Sequence, residues 1–267
     1  MRRTLLFVIA VPIGLVLAYT AAMVLLHTRF IYPFRPDIFN DPAFHTQSIS
    51  VPGAEPLEIQ IAHGAQDAPV VLFFMGNVGA LAFFKSMLTD HLSAGRTVIA
   101  MPYRGGGGVV GRSSETSLKR DALAVADYAV SKFPDRALFL HGYSLGTGLA
   151  VHVAAHRQGG DGLILSAPYD AMCRLMAKAA RLPACYLPVQ RWRTDKDLAG
   201  IDVPVLILHG MQDRLIPLSH GKRLAELMRE QGLDVTFAQI EGAGHGDLPA
   251  YALHHTSIDQ FFDGLSE

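Results

Sequence analysis

Six short stretches of the chain are almost unbroken apolar runs: "PVVLFFM" (69–75), "RTVIAMPY" (96–103), "RALFLHGY" (136–143), "DGLILSAP" (161–168), "VPVLILHG" (203–210) and "DVTFAQIEG" (234–242). A strand with one wet face alternates apolar and polar residues. A strand covered on both faces need not, so these runs predict the buried strands of a mostly parallel sheet. Helix-spaced patterns separate them, over 81–93, 116–132, 145–156, 171–181, 219–230 and 251–264. Strand and helix thus alternate along the chain, which predicts a doubly wound α/β domain. Two alternating runs come first, 47–51 and 57–62, around the turn "PGAEP". They predict an antiparallel hairpin at the edge of the same sheet.

The front of the chain follows a different rule. From Thr4 to Leu26 there is no charged residue over 23 positions. A helix rising about 1.5 Å per residue crosses a hydrocarbon layer of roughly 30 Å with such a run. Arg2 and Arg3 precede it, so the positive-inside rule leaves the N-terminus in the cytoplasm and the remaining chain beyond the membrane. The rival is a secretory signal cleaved near Thr20-Ala21-Ala22; the run exceeds the roughly 7–15 residues of a signal core, which favours an uncleaved anchor. The expected organisation is an anchor (or signal) over 1–28, an irregular connector over 29–45 and an α/β domain over 46–267 with a small cap at 169–202. The domain is expected to be extracytoplasmic, periplasmic in a bacterium, on a single-pass anchor, or secreted if the signal is cleaved.

Composition narrows the function classes. With 267 residues, half of them hydrophobic and 18% charged, the chain can bury a full core. A net charge of −1 offers no basic field, so nucleic acid is not an expected partner. Two cysteines, Cys173 and Cys185, build no metal set; a disulfide and two separate buried thiols both remain open. Nothing in the pattern sets the oligomeric state.

Candidate chemistry lies where the third buried run gives way to an alanine-rich helix, at Gly142-Tyr143-Ser144-Leu145-Gly146. A serine at a sharp strand-to-helix turn exposes its hydroxyl at the positive end of the helix, and side chains two positions either side would collide there. The Leu145 N–H would face an oxyanion formed by attack of Ser144. A serine needs a base, and the base a carboxylate to orient it. "LILHGMQDRLIP" places Asp213 beyond a strand end, and "IEGAGHGDL" places His245 in a glycine-rich loop after the last strand. The second oxyanion donor is expected at Asn77, in "FFMGNVGA" after the first buried strand. "MPYRGGGGVVGRSSE" adds a loop at the same edge whose four glycines permit close backbone approach or mobility.

Other candidates have plainer readings. His141 and His209, at strand ends, are expected to be buried and hydrogen-bonded; His254 and His255, on the last helix, to be exposed. His152 and His156 have metal-like spacing, but the sequence places no third ligand beside them, so no metal is expected. Asp170, after the fourth buried run, is the rival to Asp213.

With "MGNVG", "YRG", "HGYSLGTG", "SAPYDAM", "LPVQRWRTDKDLAGIDVPVLILHGMQD" and "GAGHGDL" in this order, the chain from about Ile49 onward resembles the α/β-hydrolase superfamily. Within it, the chain is similar to membrane-anchored, prolyl-oligopeptidase-like serine hydrolases known as alpha/beta-hydrolase domain proteins. The order Ser144, Asp213, His245 matches that superfamily. Relatives carry His-Gly-Asn where this chain has Met75-Gly76-Asn77, which removes a polar brace from the loop, and a bulky residue in the "YRG" loop where this chain has glycines. The cap is short, and Tyr186, Leu187 and Trp192 are candidates for an acyl pocket, with packing against the sheet as the plainer role.

The resemblance implies a serine hydrolase of carboxylic or thioesters, acting on small or acyl-lipid substrates without a cofactor. A serine peptidase is the alternative enzyme, and a membrane-tethered module that keeps the fold without turnover is the alternative class.

Overall fold

The computed structural model describes residues 2–157 and 160–265 and begins with a long helix, α1 (Arg2–Ile31). The connector leads to strands β1 (His45–Val51), β2 (Ala54–Ala62) and β3 (Val70–Phe74). Then follow α2 (Lys85–Ser93), β4 (Thr97–Met101), α3 (Glu115–Lys132), β5 (Leu138–Tyr143), α4 (Leu145–His156) and β6 (Gly162–Ser166). The chain ends with α5 (Met172–Ala180), β7 (Val205–Gly210), α6 (Leu218–Glu230), β8 (Val235–Ile240) and α7 (Ala252–Asp263).

The strands form one sheet in the order β1-β2-β4-β3-β5-β6-β7-β8. β1 pairs antiparallel with β2, and β2 with β4; every other pairing is parallel. This is the α/β-hydrolase arrangement, with the hairpin at one edge as its alternating pattern predicted. β3 to β7 are buried at every position, which is why their sequences need no polar alternation. β8 departs from that expectation. It is the far edge strand, and Thr236 and Gln239 face solvent. The hairpin turn is also tighter than expected: only Pro52 and Gly53 separate the strands, and Ala54, Glu55 and Pro56 already belong to β2. Residues 81–84 form a short 3₁₀ turn ahead of α2.

The strand order sets the position of the site. From β3 the chain crosses by α2 to β4 on one side, whereas from β5 it crosses by α4 to β6 on the other. The two loops leaving the ends of β3 and β5 therefore part, and a crevice opens at the carboxyl edge between them. Phe74 pairs with Gly142 at that edge, so residues 75–80 and the turn at Ser144 border the crevice.

Beneath the sheet lies a buried polar chain. Arg96 Nη1 donates to His91 Nδ1 (3.3 Å), His91 Nε2 lies 2.9 Å from His141 Nδ1, and His141 Nε2 lies 3.0 Å from Ser166 Oγ. Because a guanidinium can only donate, the proton sequence runs one way and both imidazoles are neutral. His254 is buried as well, contrary to the exposure expected of it, and neither ring nitrogen has a protein partner. Burial pushes His91 down to about 3 and His254 to about 4, and puts His141 well below the ordinary range; the Arg96 charge adds to the effect on His91 and His141.

Unfolded histidines take up protons near pH 6.5 and these folded ones do not, so their contribution is complete above that pH. It is lost as pH falls toward 3–4, by about 1.4 kcal/mol per pH unit for each group. Urea midpoints should therefore drop between pH 7 and pH 5, and His254→Leu should flatten that dependence; equal slopes in the two proteins would count against this account.

Candidate active site

β5 ends at Tyr143 and α4 starts at Leu145, so the whole reversal falls on Ser144. Its backbone sits at φ 51° and ψ −115°, in the region that side-chain-bearing residues avoid. Close packing permits nothing larger on either side. A Cβ on Gly146 would lie 2.1 Å from the Phe74 carbonyl oxygen, and one on Gly142 would lie 2.5 Å from the Gly146 carbonyl oxygen. The Ser144 N–H donates to the Ser166 carbonyl (2.8 Å), pinning the turn to β6.

Ser144 Oγ lies 3.0 Å from His245 Nε2, and His245 Nδ1 lies 2.7 Å from Asp213 Oδ2. The carboxylate accepts, so Nδ1 carries the proton and Nε2 is left to accept from the serine hydroxyl. Asp213 Oδ1 accepts the Leu215 and Ile216 N–H groups at 2.9 and 2.7 Å. Burial would raise the Asp213 carboxyl, but the hydrogen bond and charge of His245, with the Ile216 N–H, outweigh it and hold the carboxyl below its usual range. The Tyr143 hydroxyl donates to the His245 carbonyl and steadies that loop. His209 is buried, its Nε2 on the Ile216 carbonyl at 2.9 Å, whereas its Nδ1 has no protein partner and abuts α6 at Gly221.

Asp170 is engaged elsewhere. Its carboxylate accepts from His220 Nδ1 (2.5 Å) and the Ala171 N–H (2.8 Å), and pairs with Arg174 and Arg223.

Of the expected oxyanion donors, Leu145 opens α4, where a first-turn N–H has no intrahelical acceptor. Asn77 lies in the turn closed by the Gly79 N–H on the Gly76 carbonyl (3.2 Å). A Cβ at Gly76 would be 3.5 Å from Ser144 Cβ, so this turn lies against the serine. The polar brace that Met75 cannot supply comes from Tyr103, whose hydroxyl donates to the Met75 carbonyl at 2.6 Å.

The glycine loop turns out to serve close approach. Phe34 of the connector wedges between the two loops: a Cβ on Gly79 would come within 2.3 Å of its ring, and one on Gly106 within 3.1 Å. Arg35 donates its N–H to the Val78 carbonyl and accepts the Gly107 N–H, both at 2.8 Å. Nothing in the sequence signals this contact, because an isolated phenylalanine between prolines has no periodicity to read.

The stretch expected to form a cap, 169–202, holds α5 and the Cys173–Cys185 disulfide, so the two cysteines pair. Trp192 is buried, with Nε1–H donating to the Tyr32 hydroxyl (3.1 Å), whereas the Tyr186 side chain is 87% exposed. Leu187 borders an apolar cavity of about 320 Å³ between the last turns of α1 (Met23, Val24, Phe30) and the cap (Met176, Leu182).

A family model described as serine aminopeptidase, S33 matches residues 65–194. Lysophosphatidylserine lipase ABHD12 of Xenopus tropicalis is 32% identical over 177 residues, covering 58% of this chain and 46% of that protein. The chain spans about half the length of the curated relatives it matches. Among solved structures, the esterase Pf2001 of Pyrococcus furiosus superposes with a TM-score of 0.70 at 13% identity, over 87% of this chain and 97% of that one. The acylaminoacyl peptidase of Pyrococcus horikoshii gives 0.65 at 14% identity, over 82% of this chain and 41% of that one. In sequence the chain is similar to these hydrolases over part of its length, and its fold is the α/β-hydrolase fold.

Proposed function

We propose that the protein is a membrane-tethered serine hydrolase that cleaves carboxylic or thioesters, acyl-lipid esters among them, through an acyl-enzyme. The observation that carries this reading is the hydrogen-bonded line Ser144 Oγ–His245 Nε2 and His245 Nδ1–Asp213 on a strained strand-to-helix turn. Ser144 Oγ attacks the ester carbonyl as His245 Nε2 takes its proton. The Leu145 and Asn77 N–H groups hold the oxyanion, and the protonated His245 then delivers the proton to the leaving oxygen or sulfur. Water, activated by the same imidazole, attacks the acyl-serine and releases the acid. Asp213 keeps Nδ1 protonated throughout and offsets the imidazolium charge. The chemistry asks for no cofactor.

An acyl-lipid substrate is favoured by the apolar cavity between α1 and the cap, since its walls include the helix that would sit in the membrane. The relative named as a lysophosphatidylserine lipase points the same way. An 18-residue stretch within Ala10–Ile31 has a mean hydropathy of 1.9 and no buried residue, and Ile31, the last residue of the helix, is buried in the domain core. A cap disulfide suits an oxidising compartment, in keeping with the side of the membrane that Arg2 and Arg3 assign to the domain.

Ser144→Ala should fold normally, lose labelling by a fluorophosphonate probe, and lose roughly 10⁴–10⁶-fold in kcat on a small ester. A wild-type protein that the probe does not label would instead favour a non-catalytic module. Asp213→Asn should cost roughly 10³–10⁴-fold in kcat by favouring the wrong imidazole tautomer. Asp170→Asn should cost far less, and the reverse ranking would move the acid to the end of β6.

Phe34→Ala removes the wedge beneath the loop that carries the Asn77 N–H. It should lower kcat about tenfold while changing KM little, because the donor is needed most in the transition state; a rise in KM alone would place Phe34 in substrate binding instead.

Full-length protein should resist carbonate extraction, and protease on the outer face of the membrane should reach the domain. Soluble protein with a new N-terminus near Met23 would show a cleaved signal. A domain protected from that protease would reverse the orientation.

A further inference from the structure

The last turn of α4 carries His152 and His156 on one face, and the chain leaving the cap brings Asp197 against them. One candidate ligand atom from each residue lies within 4.8 Å of the other two. His152 Nδ1 is 2.7 Å from Asp197 Oδ2, and His156 Nε2 is 3.7 Å from Asp197 Oδ1. The helix itself fixes the tautomer of His156. Its Nδ1 lies 2.9 Å from the His152 carbonyl oxygen, which can only accept, so Nδ1 bears the proton. On a neutral ring Nε2 then presents a lone pair to a carboxylate oxygen. Two acceptors so placed repel unless a proton or a cation is shared between them. Their separation is near the roughly 3.3 Å that a tetrahedral cation with bonds of about 2.0–2.1 Å imposes on its ligands.

We propose that His152, His156 and Asp197 form a binding site for one divalent transition cation of the zinc class, joining the end of the nucleophile helix to the cap. Two imidazoles with one carboxylate suit zinc, nickel or copper rather than magnesium or calcium. The carbonyl end of α4 adds a favourable dipole, and the Nδ1–H bond of His156 is the orienting contact that metal-bound histidines use. Burial alone would raise the Asp197 carboxyl, but the His152 and Lys119 hydrogen bonds hold it down at about 2, so it is ionised at neutral pH.

The competitor is Lys119, whose Nζ lies 3.1 Å from Asp197 Oδ2. It also lies 3.2 Å from Glu115 Oε1, and it keeps that partner when a cation takes Asp197. Along α4 the two histidines lie 8 and 12 residues beyond Ser144, about 12–18 Å from it. The cation is therefore a staple and takes no part in the reaction.

The test uses tag-free, full-length protein in detergent, stripped with chelator and titrated with zinc chloride by calorimetry and thermal melting. One saturable equivalent and a raised melting midpoint are expected, and magnesium should give neither. His156→Ala alters a half-exposed side chain and should melt like metal-free wild type, bind zinc about tenfold or more weakly and lose the thermal shift. Lys119→Ala should tighten binding by removing the competing ammonium. His63→Ala, in a second stacked histidine pair with His45, should change nothing. The proposal falls if wild type binds no stoichiometric zinc, if His156→Ala binds like wild type, or if His63→Ala abolishes binding.

Discussion

The constraint on which this structure rests is the reversal of the chain at a single residue between β5 and α4. Ser144 holds a backbone conformation that costs on the order of 1–3 kcal/mol, and it persists only because its surroundings leave no alternative. Those surroundings are backbone atoms: the Phe74 carbonyl fills the space where a Gly146 side chain would be, and the Gly146 carbonyl fills that of Gly142. The close approach fixes the end of β3 against the start of α4. The β3 loop is thereby held against the serine at the point where Leu145 opens α4. Geometry that a hydrolase needs is thus a by-product of how tightly two neighbouring strand ends pack.

The parts of this arrangement that were legible in the sequence are those set by local rules. Buried strands announced themselves because a strand covered on both faces loses its polar alternation, and the elbow because only glycine tolerates the approach on either side of Ser144. Asp213 and His245 could be picked out because each follows a strand whose carboxyl end faces the crevice. What stayed hidden depended on contacts between distant segments. β8 has a composition like that of its buried neighbours, and only its place at the sheet edge exposes Thr236 and Gln239. A polar residue on a terminal helix is usually exposed, yet α7 turns His254 inward toward the His91–His141 chain. Asp197 lies 41 residues beyond His156 in the chain, and no spacing rule could bring the two together.

The loop chemistry shows how a lost side chain can be replaced from elsewhere in the fold. Related hydrolases carry a histidine at the position of Met75, and the sequence alone implied an unbraced loop. In the structure the Met75 carbonyl receives the Tyr103 hydroxyl from the loop after β4, and Phe34 packs against both the Tyr103 ring and the glycines of that loop. The run Gly105–Gly108 then has two causes: at Gly106 a side chain would strike the Gly79 carbonyl, 2.2 Å away, and displace the wedge, whereas Gly105, Gly107 and Gly108 hold positive φ. Flexibility is not its purpose, because the loop is pinned by Gly107 N–H to the Arg35 carbonyl.

This contact changes how the front of the chain should be regarded. The apolar helix α1, the connector and the α/β domain differ in composition but are continuous in packing. Tyr19 donates to the Ala180 carbonyl at the end of α5, His27 Nε2 accepts the Gln190 N–H, and Tyr32 joins Gln190 to Trp192. A few residues later Phe34 and Arg35 seat on the loop beside Ser144. The C-terminal half of α1 is therefore coupled to the cap, and the connector that follows it to the loop that carries Asn77. In the proposed enzyme the bilayer surface would then do more than concentrate the protein near its substrate. It would fix the orientation of the helix whose last turn and connector shape the site, so the geometry of the catalytic edge and the position of the lipid surface are set by the same stretch of chain.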